Sequence, residues 1–184
     1  KNKQTTRSRD DQKRADDLVK RNFNADHPDQ LWVADFTYIQ THSGWVYTAF
    51  IIDVFSRAIV GWKVSTRMNT DMVLDALEQA LHDRGMPKNV IHHSDRGVQY
   101  LSIRYTNRLE AANLRASVGT TGDSYDNALA ETVNGLYKTE VIEYLKADWQ
   151  GLADVQLATL NWVDWFNKKR VHSALGYVSP FEFE

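Results

Sequence analysis

Three β-rich runs follow one another almost without interruption: LWVADFTYIQT over 31–41, WVYTAFIIDVF over 45–55 and AIVGWKVST over 58–66. Only HSG (42–44) and SR (56–57) separate them. Connections this short leave no room for a crossover, so the chain must fold back on itself as an antiparallel meander. In the first run Val33, Asp35 and Ile39 share one face, while Trp32, Ala34 and Phe36 share the other. Apolar side chains on both faces predict a central strand covered on both sides.

The remainder alternates. Apolar positions at Met72, Val73, Ala76, Leu77 and Leu81 predict a helix from about Thr70 to Arg84, with Asn69 or Thr70 at its cap and Gly85 and Pro87 as its stop. NVIHHS reads as a short strand, SIRYTNRLEAANL as a helix and RASVG as a last strand. The loop GTTGDS (119–124) leads into a helix from about Tyr125 to Leu145. A final helix rich in Leu and Trp runs from Gly151 to about Lys169, and RVHSALGYVSPFEFE looks irregular. Strands first and then alternating helices and strands predict an α/β layer with a mixed sheet.

At 184 residues, 42% hydrophobic and 11% aromatic, the chain fits one domain with a substantial core. No run approaches the roughly 18 apolar residues of a membrane span, and no signal peptide is apparent. Zero cysteines exclude disulfides and thiolate metal sites, which suits a cytoplasmic protein. Net charge is −2, an argument against an obligate nucleic-acid binder. The basic residues are nevertheless concentrated at the start, where Lys1, Lys3, Arg7, Arg9, Lys13, Arg14, Lys20 and Arg21 face only four Asp. Residues 1–30 are expected to be a basic linker or helix following an absent N-terminal region. A core over 31–150 and a C-terminal helix and tail over 151–184 packed on it complete the expected division.

Three acids stand in awkward places. A carboxylate at Asp35, inside a covered strand, is costly unless it is paired or holds a metal. Asp95 ends the NVIHHS strand, where open α/β sheets place ligands; a turn-forming Asp before Arg-Gly is the rival reading. Glu131 shares a helical face with Asn127, Asn134, Gly135 and Lys138, and Leu129, Val133, Leu136 and Tyr137 form the opposite stripe. A solvated face with a Glu–Lys relationship is the alternative there. Converging carboxylates from three segments could hold divalent cations for phosphoryl transfer, with Asn134 and Lys138 reaching a phosphodiester. Asp53 more simply shapes the turn at SR. His92 and His93 point to opposite faces of one strand and cannot chelate together. Trp149, Trp162 and Trp165 read as core or interface.

The stretches HPDQLWVADFTYIQT, IIDVFSRAIVGW, HHSDRGVQY, GDSYDNALAETVNGLYKTE and LNWVDWFNKKRVHSALGYVSP resemble the catalytic domain of bacterial insertion-sequence transposases, the group whose second reading frame is similar to retroviral integrases. Thirty-five residues lie between Asp95 and Glu131 (131 − 95 − 1). That gap, and the Lys seven positions after the Glu, belong to the group's pattern. The resemblance implies a ribonuclease-H-like fold with a five-stranded mixed sheet flanked by helices. It assigns Asp35, Asp95 and Glu131 as the acidic triad, holding two Mg²⁺ ions with Mn²⁺ able to substitute. It further implies metal-dependent cleavage and strand transfer at the ends of a mobile element. The partners it implies are DNA and a homo-oligomer assembled on it, with no membrane. GTTGDS is the candidate for shaping DNA at the cut. A nuclease of the same fold without strand transfer, and a catalytically inactive DNA-binding or assembly module, are the competing readings.

Overall fold

The computed structural model describes residues 18–19, 23–95, 99–119, 128–145 and 148–184. Most of the basic stretch 1–21 and all of GTTGDS after Gly119 lie outside the described residues. The meander forms as expected: β1 (Leu31–Thr41), β2 (Gly44–Asp53) and β3 (Ile59–Ser65) pair antiparallel in sequence order. Gly44, at φ 107°, and a bond from Thr41 Oγ1 to Gly44 O of 2.7 Å close the first turn. Asp53 closes the second. Its buried carboxylate accepts from the backbone N–H of Ser56 (2.9 Å), the Ser56 hydroxyl (3.0 Å) and the Asp29 N–H (2.8 Å), confirming a turn-building role.

α1 (Thr70–Asp83) leads to β4 (Ile91–Ser94), and α2 (Ile103–Ala111) to β5 (Arg115–Val118). Asn69 caps α1 through the Met72 N–H at 3.1 Å. β4 adds parallel to β1 and β5 parallel to β4, so the sheet order is β3-β2-β1-β4-β5 with β1 at its centre. One face carries Trp32, Ala34, Ala49 and Ile51 under α1 and α2. The other carries Val33, Ile39, Phe50 and Ile52 under α3 (Ala128–Tyr137) and α4 (Leu152–Lys168). The mixed five-stranded sheet with helices on both faces is the predicted architecture.

Gly61 sets how closely α1 approaches β3. A Cβ there would lie 2.3 Å from the Ala76 carbonyl oxygen and 3.0 Å from the Ala80 Cβ. α4 secures the far edge of the sheet, where the Asn167 side chain accepts from Ile59 N–H and donates to Ile59 O, both at 2.8 Å. This amide occupies the edge groups of β3 that would otherwise be open to another strand.

Two expectations are corrected. The α-helix expected to run to Leu145 ends at Tyr137, and Lys138–Glu143 continue as a wider π-helical segment. That segment carries Glu140 toward α4, where its carboxylate takes Trp162 Nε1 (2.9 Å) and the Arg170 guanidinium (2.6 and 2.8 Å). Tertiary bonds to one side chain thus accompany the change of helical pitch. Nor is the tail irregular. His172 and Val178 form a bridge around a 3-10 turn (Ser173–Leu175), and Ser179 caps α5 (Pro180–Phe183). Glu184 then pairs with Arg84 at 2.7 and 2.9 Å. Of the three tryptophans expected in core or interface, Trp149 and Trp162 are buried, whereas Trp165 is exposed.

Candidate active site

β4 pairs with β1 only as far as Ala34↔Ser94. Asp35 and Asp95 are therefore the next residues on two adjacent parallel strands, just beyond the last pair between β1 and β4 among the described residues. Across the other edge Asp35 stands opposite Phe50 of β2. The alternation predicted for β1 holds: Trp32 and Ala34 lie in one core, Val33 and Ile39 in the other, and Asp35 shares the latter side. α3 covers that side with Ala130, Val133 and Tyr137, while Leu129 and Leu136 are only partly buried. Glu131, in its first turn, is exposed.

Asp95 and Glu131 are near enough to act on the charge of Asp35. Its carboxyl is pushed up from 3.8 to about 6, first by burial and, after an opposing bond from the Phe36 N–H, by the negative charges of Asp95 and Glu131. Asp35 Oδ1 accepts that N–H at 2.8 Å and Oδ2 accepts from Asn134 Nδ2 at 3.1 Å. Both bonds favour the ionised form, but they do not offset burial and the two acidic neighbours.

These residues fit a divalent cation by their chemistry. Three carboxylates supply hard oxygen donors, the set that suits Mg²⁺ and Mn²⁺. A desolvated carboxylate with two acidic neighbours is also an arrangement that a cation relieves. Among the described residues, Asp35, Asp95 and Glu131 included, no group of three His, Asp or Glu side chains is drawn together tightly enough to hold a metal. The neighbouring residues 96–98 and 120–127 lie outside the described residues.

The histidines stay out of this site. His92 meets the Tyr105 hydroxyl at 2.6 Å in one core layer, and burial brings it down to about 4. His93, on the opposite face, meets Ser117 Oγ at 2.8 Å and the edge of Phe23. Asn134 is turned to Asp35, and its Oδ1 is buried without a hydrogen-bond partner among the described residues. Lys138 places its ammonium 5.1 Å from the centre of the Tyr38 ring. Tyr38 and its neighbour Trp45 were not singled out from the sequence, where both read as ordinary strand aromatics.

The integrase core domain family matches residues 25–124, and a second integrase core domain family matches 112–180. The chain belongs to the integrase core domain family. This integrase core is 58% identical over 170 residues to the transposase for insertion sequence element IS629 of Shigella sonnei, covering 92% of the chain and 56% of that protein. It is 53% identical over 173 residues to the putative transposase for IS986/IS6110 of Mycobacterium tuberculosis, covering 91% and 62%. It thus spans about three-fifths of the length of these curated relatives. Among solved structures, the HTLV-2 integrase catalytic core domain in complex with magnesium superposes with a TM-score of 0.67 at 19% identity, covering 85% of this chain and 96% of that one. The simian T-cell lymphotropic virus intasome gives 0.73 at 17%, covering 85% and 54%. The fold is the ribonuclease-H-like fold of retroviral integrase cores.

Proposed function

We propose that this integrase core is the catalytic part of a DDE transposase, cutting DNA at the ends of an insertion sequence and joining the freed 3′-hydroxyl to a target strand. The observation that carries the proposal is geometric: Asp35 and Asp95 follow the last paired residues of adjacent parallel strands, and Asn134 of the helix that carries Glu131 donates to Asp35. Relatives named as insertion-sequence transposases, and the magnesium named with the HTLV-2 core, support the reading.

Asp35, Asp95 and Glu131 are the proposed holders of Mg²⁺, with Mn²⁺ as a substitute. The bound cation would neutralise charge building on the phosphodiester and lower the pKa of an attacking water or 3′-hydroxyl. The protein's own part is positioning. The Phe36 N–H and Asn134 amide fix both oxygens of Asp35 before substrate arrives, so little reorganisation remains. Asn134 is also the proposed contact to a phosphate oxygen. Lys138 serves as a point charge for the backbone of the same strand. No side-chain nucleophile is required for chemistry of this kind.

Residues 1–30 are proposed as the connector to an end-recognition region, preceding the catalytic core (31–150) and its C-terminal helix and tail (151–184). The loop GTTGDS is proposed to shape DNA at the cut, and pairing of two element ends calls for a homo-oligomer on DNA. The proposed site of action is bacterial DNA in the cytoplasm; no helix among the described residues is long and apolar enough to cross a membrane.

The discriminating experiment supplies a pre-cut end with a free 3′-hydroxyl, target duplex and Mg²⁺. A covalently joined product is expected. Cleavage without any joined product, under conditions where the end is bound, makes the protein a nuclease instead.

A further inference from the structure

Two aromatic side chains lie exposed on β1 and β2, further along the sheet from Asp35. Tyr38 is 56% and Trp45 50% exposed, and their rings meet edge to face at 5.2 Å. Gln40 is the register partner of Trp45 and Tyr47 that of Tyr38, so both aromatics stand on the same sheet face. Further in on that face, Phe36 stacks on the buried Tyr100. The face is covered by helices around Phe36 and bare at Tyr38 and Trp45.

The placement of Lys138 distinguishes this pair from scattered surface aromatics. Lys138 follows α3 on the opposite side of the sheet, yet its ammonium lies 5.1 Å from the Tyr38 ring centre. Among the described residues β4 pairs with β1 only up to Ala34↔Ser94, so Tyr38 lies beyond the last described pair on that edge. Tyr38 is three residues from Asp35 along the strand, about 10 Å at strand rise. Tyr38 faces the opposite side of the sheet from Asp35, and Trp45 stands opposite Gln40, about 17 Å along the strand from Asp35, so Lys138 is the group that links the aromatic pair to the side that Asp35 faces.

We propose that Tyr38 and Trp45 form a stacking platform for an unpaired nucleotide next to the cut DNA end, with Lys138 turning from the Tyr38 ring to that nucleotide's phosphate. The proposal rests on the DNA-cutting reading of the triad. The chemistry selects this occupant. A base offers a flat face to an aromatic ring whatever its identity, and the adjoining phosphate offers an anion to the ammonium. Bases inside a duplex already spend both faces on their neighbours, so the platform requires a nucleotide freed from pairing. In the absence of DNA, Tyr38 satisfies Lys138 by a cation–π contact that a phosphate readily replaces.

The test uses the protein without divalent metal and a DNA end carrying 2-aminopurine at an unpaired terminal position, beside the matching blunt duplex. Binding should quench the 2-aminopurine emission. Tyr38→Ala and Trp45→Ala should abolish the quench and weaken binding to the unpaired end about 5- to 150-fold, the equivalent of losing one stacked base. Binding to the blunt duplex should change far less, and Trp45→Phe should keep most of the quench. Both side chains are half exposed, and circular dichroism melts would show that the variants fold. The platform is refuted if the wild type does not quench, if the alanine variants quench like the wild type, or if they lose blunt and unpaired ends equally. A joining assay on the same proteins separates the two ideas. A wild type that joins DNA while the alanine variants quench normally sinks the platform and leaves the transposase reading standing; a wild type that never joins sinks that reading.

Discussion

Asn134 Nδ2 donates to Asp35 Oδ2 across 3.1 Å, tying the helix that carries Glu131 to the central strand of the sheet. The bond fixes one carboxylate oxygen and lowers the proton affinity of Asp35. Its other amide atom, Oδ1, is buried without a hydrogen-bond partner among the described residues. Asn134→Leu should therefore change the melting temperature little, since the lost donor to Asp35 and the removed buried acceptor act in opposite directions. Mn²⁺ binding, followed by titration calorimetry, should weaken by about 10- to 100-fold, the usual cost of losing a group that orients a metal ligand. Unaltered Mn²⁺ affinity would show that Asn134 does not orient Asp35.

Asp35 and His92 act on stability in opposite directions. Native Asp35 keeps its proton up to about pH 6, whereas the unfolded chain loses it near 3.8, so its contribution falls as pH rises through that window. Native His92 stays neutral down to about 4, whereas the unfolded chain protonates near 6.5, so its contribution rises with pH over nearly the same interval. Each effect is worth roughly 3 kcal/mol. In urea melts without metal, the stability of Asp35→Asn relative to wild type should grow by about 2–3 kcal/mol between pH 4 and pH 7. A constant difference would mean that Asp35 titrates normally.

Two glycines make contrasting predictions. Gly61→Ala drives a methyl group into the Ala76 carbonyl and should cost about 1–3 kcal/mol or more. Gly135 lies on the exposed side of α3 with nothing within 4 Å of an added Cβ, so Gly135→Ala should stabilise by about 0.5–1 kcal/mol. Denaturant midpoints of the two variants should move in opposite directions.

Glu140 joins the π-helical segment to α4 through Trp162 and Arg170. Glu140→Gln weakens a doubly bonded, three-quarters-buried pair and should lower the melting temperature by about 4–10 °C, equivalent to about 2 kcal/mol or slightly more. An unchanged melting curve would remove Glu140 as the tie between the two elements.

Much of this architecture was legible because it rests on local signals. The short HSG and SR connections dictate the meander, alternation around Asp35 dictates a covered central strand, and Asn69 and Gly85 bracket α1. The place where Asp35 and Asp95 meet was legible only in part, since a strand end is readable but the Ala34↔Ser94 register is not. Glu140 illustrates the limit. Its partners Trp162 and Arg170 lie 22 and 30 residues away, and no local periodicity announces a π-helix that reaches them. The partner of Lys138 was hidden for the same reason, because Tyr38 lies a hundred residues upstream and only the fold brings it near. The order in the tail depends likewise on Arg84, a hundred residues upstream of Glu184.

The most direct measurement is single-turnover cleavage and joining in Mg²⁺ by Asp35→Asn, Asp95→Asn and Glu131→Gln, each assayed alone beside the wild type on the same element end. All three should lose activity by at least about a thousandfold while still binding the DNA, because each removes one carboxylate from a shared cation site. Near-native joining by any one of the three would contradict a site built from Asp35, Asp95 and Glu131.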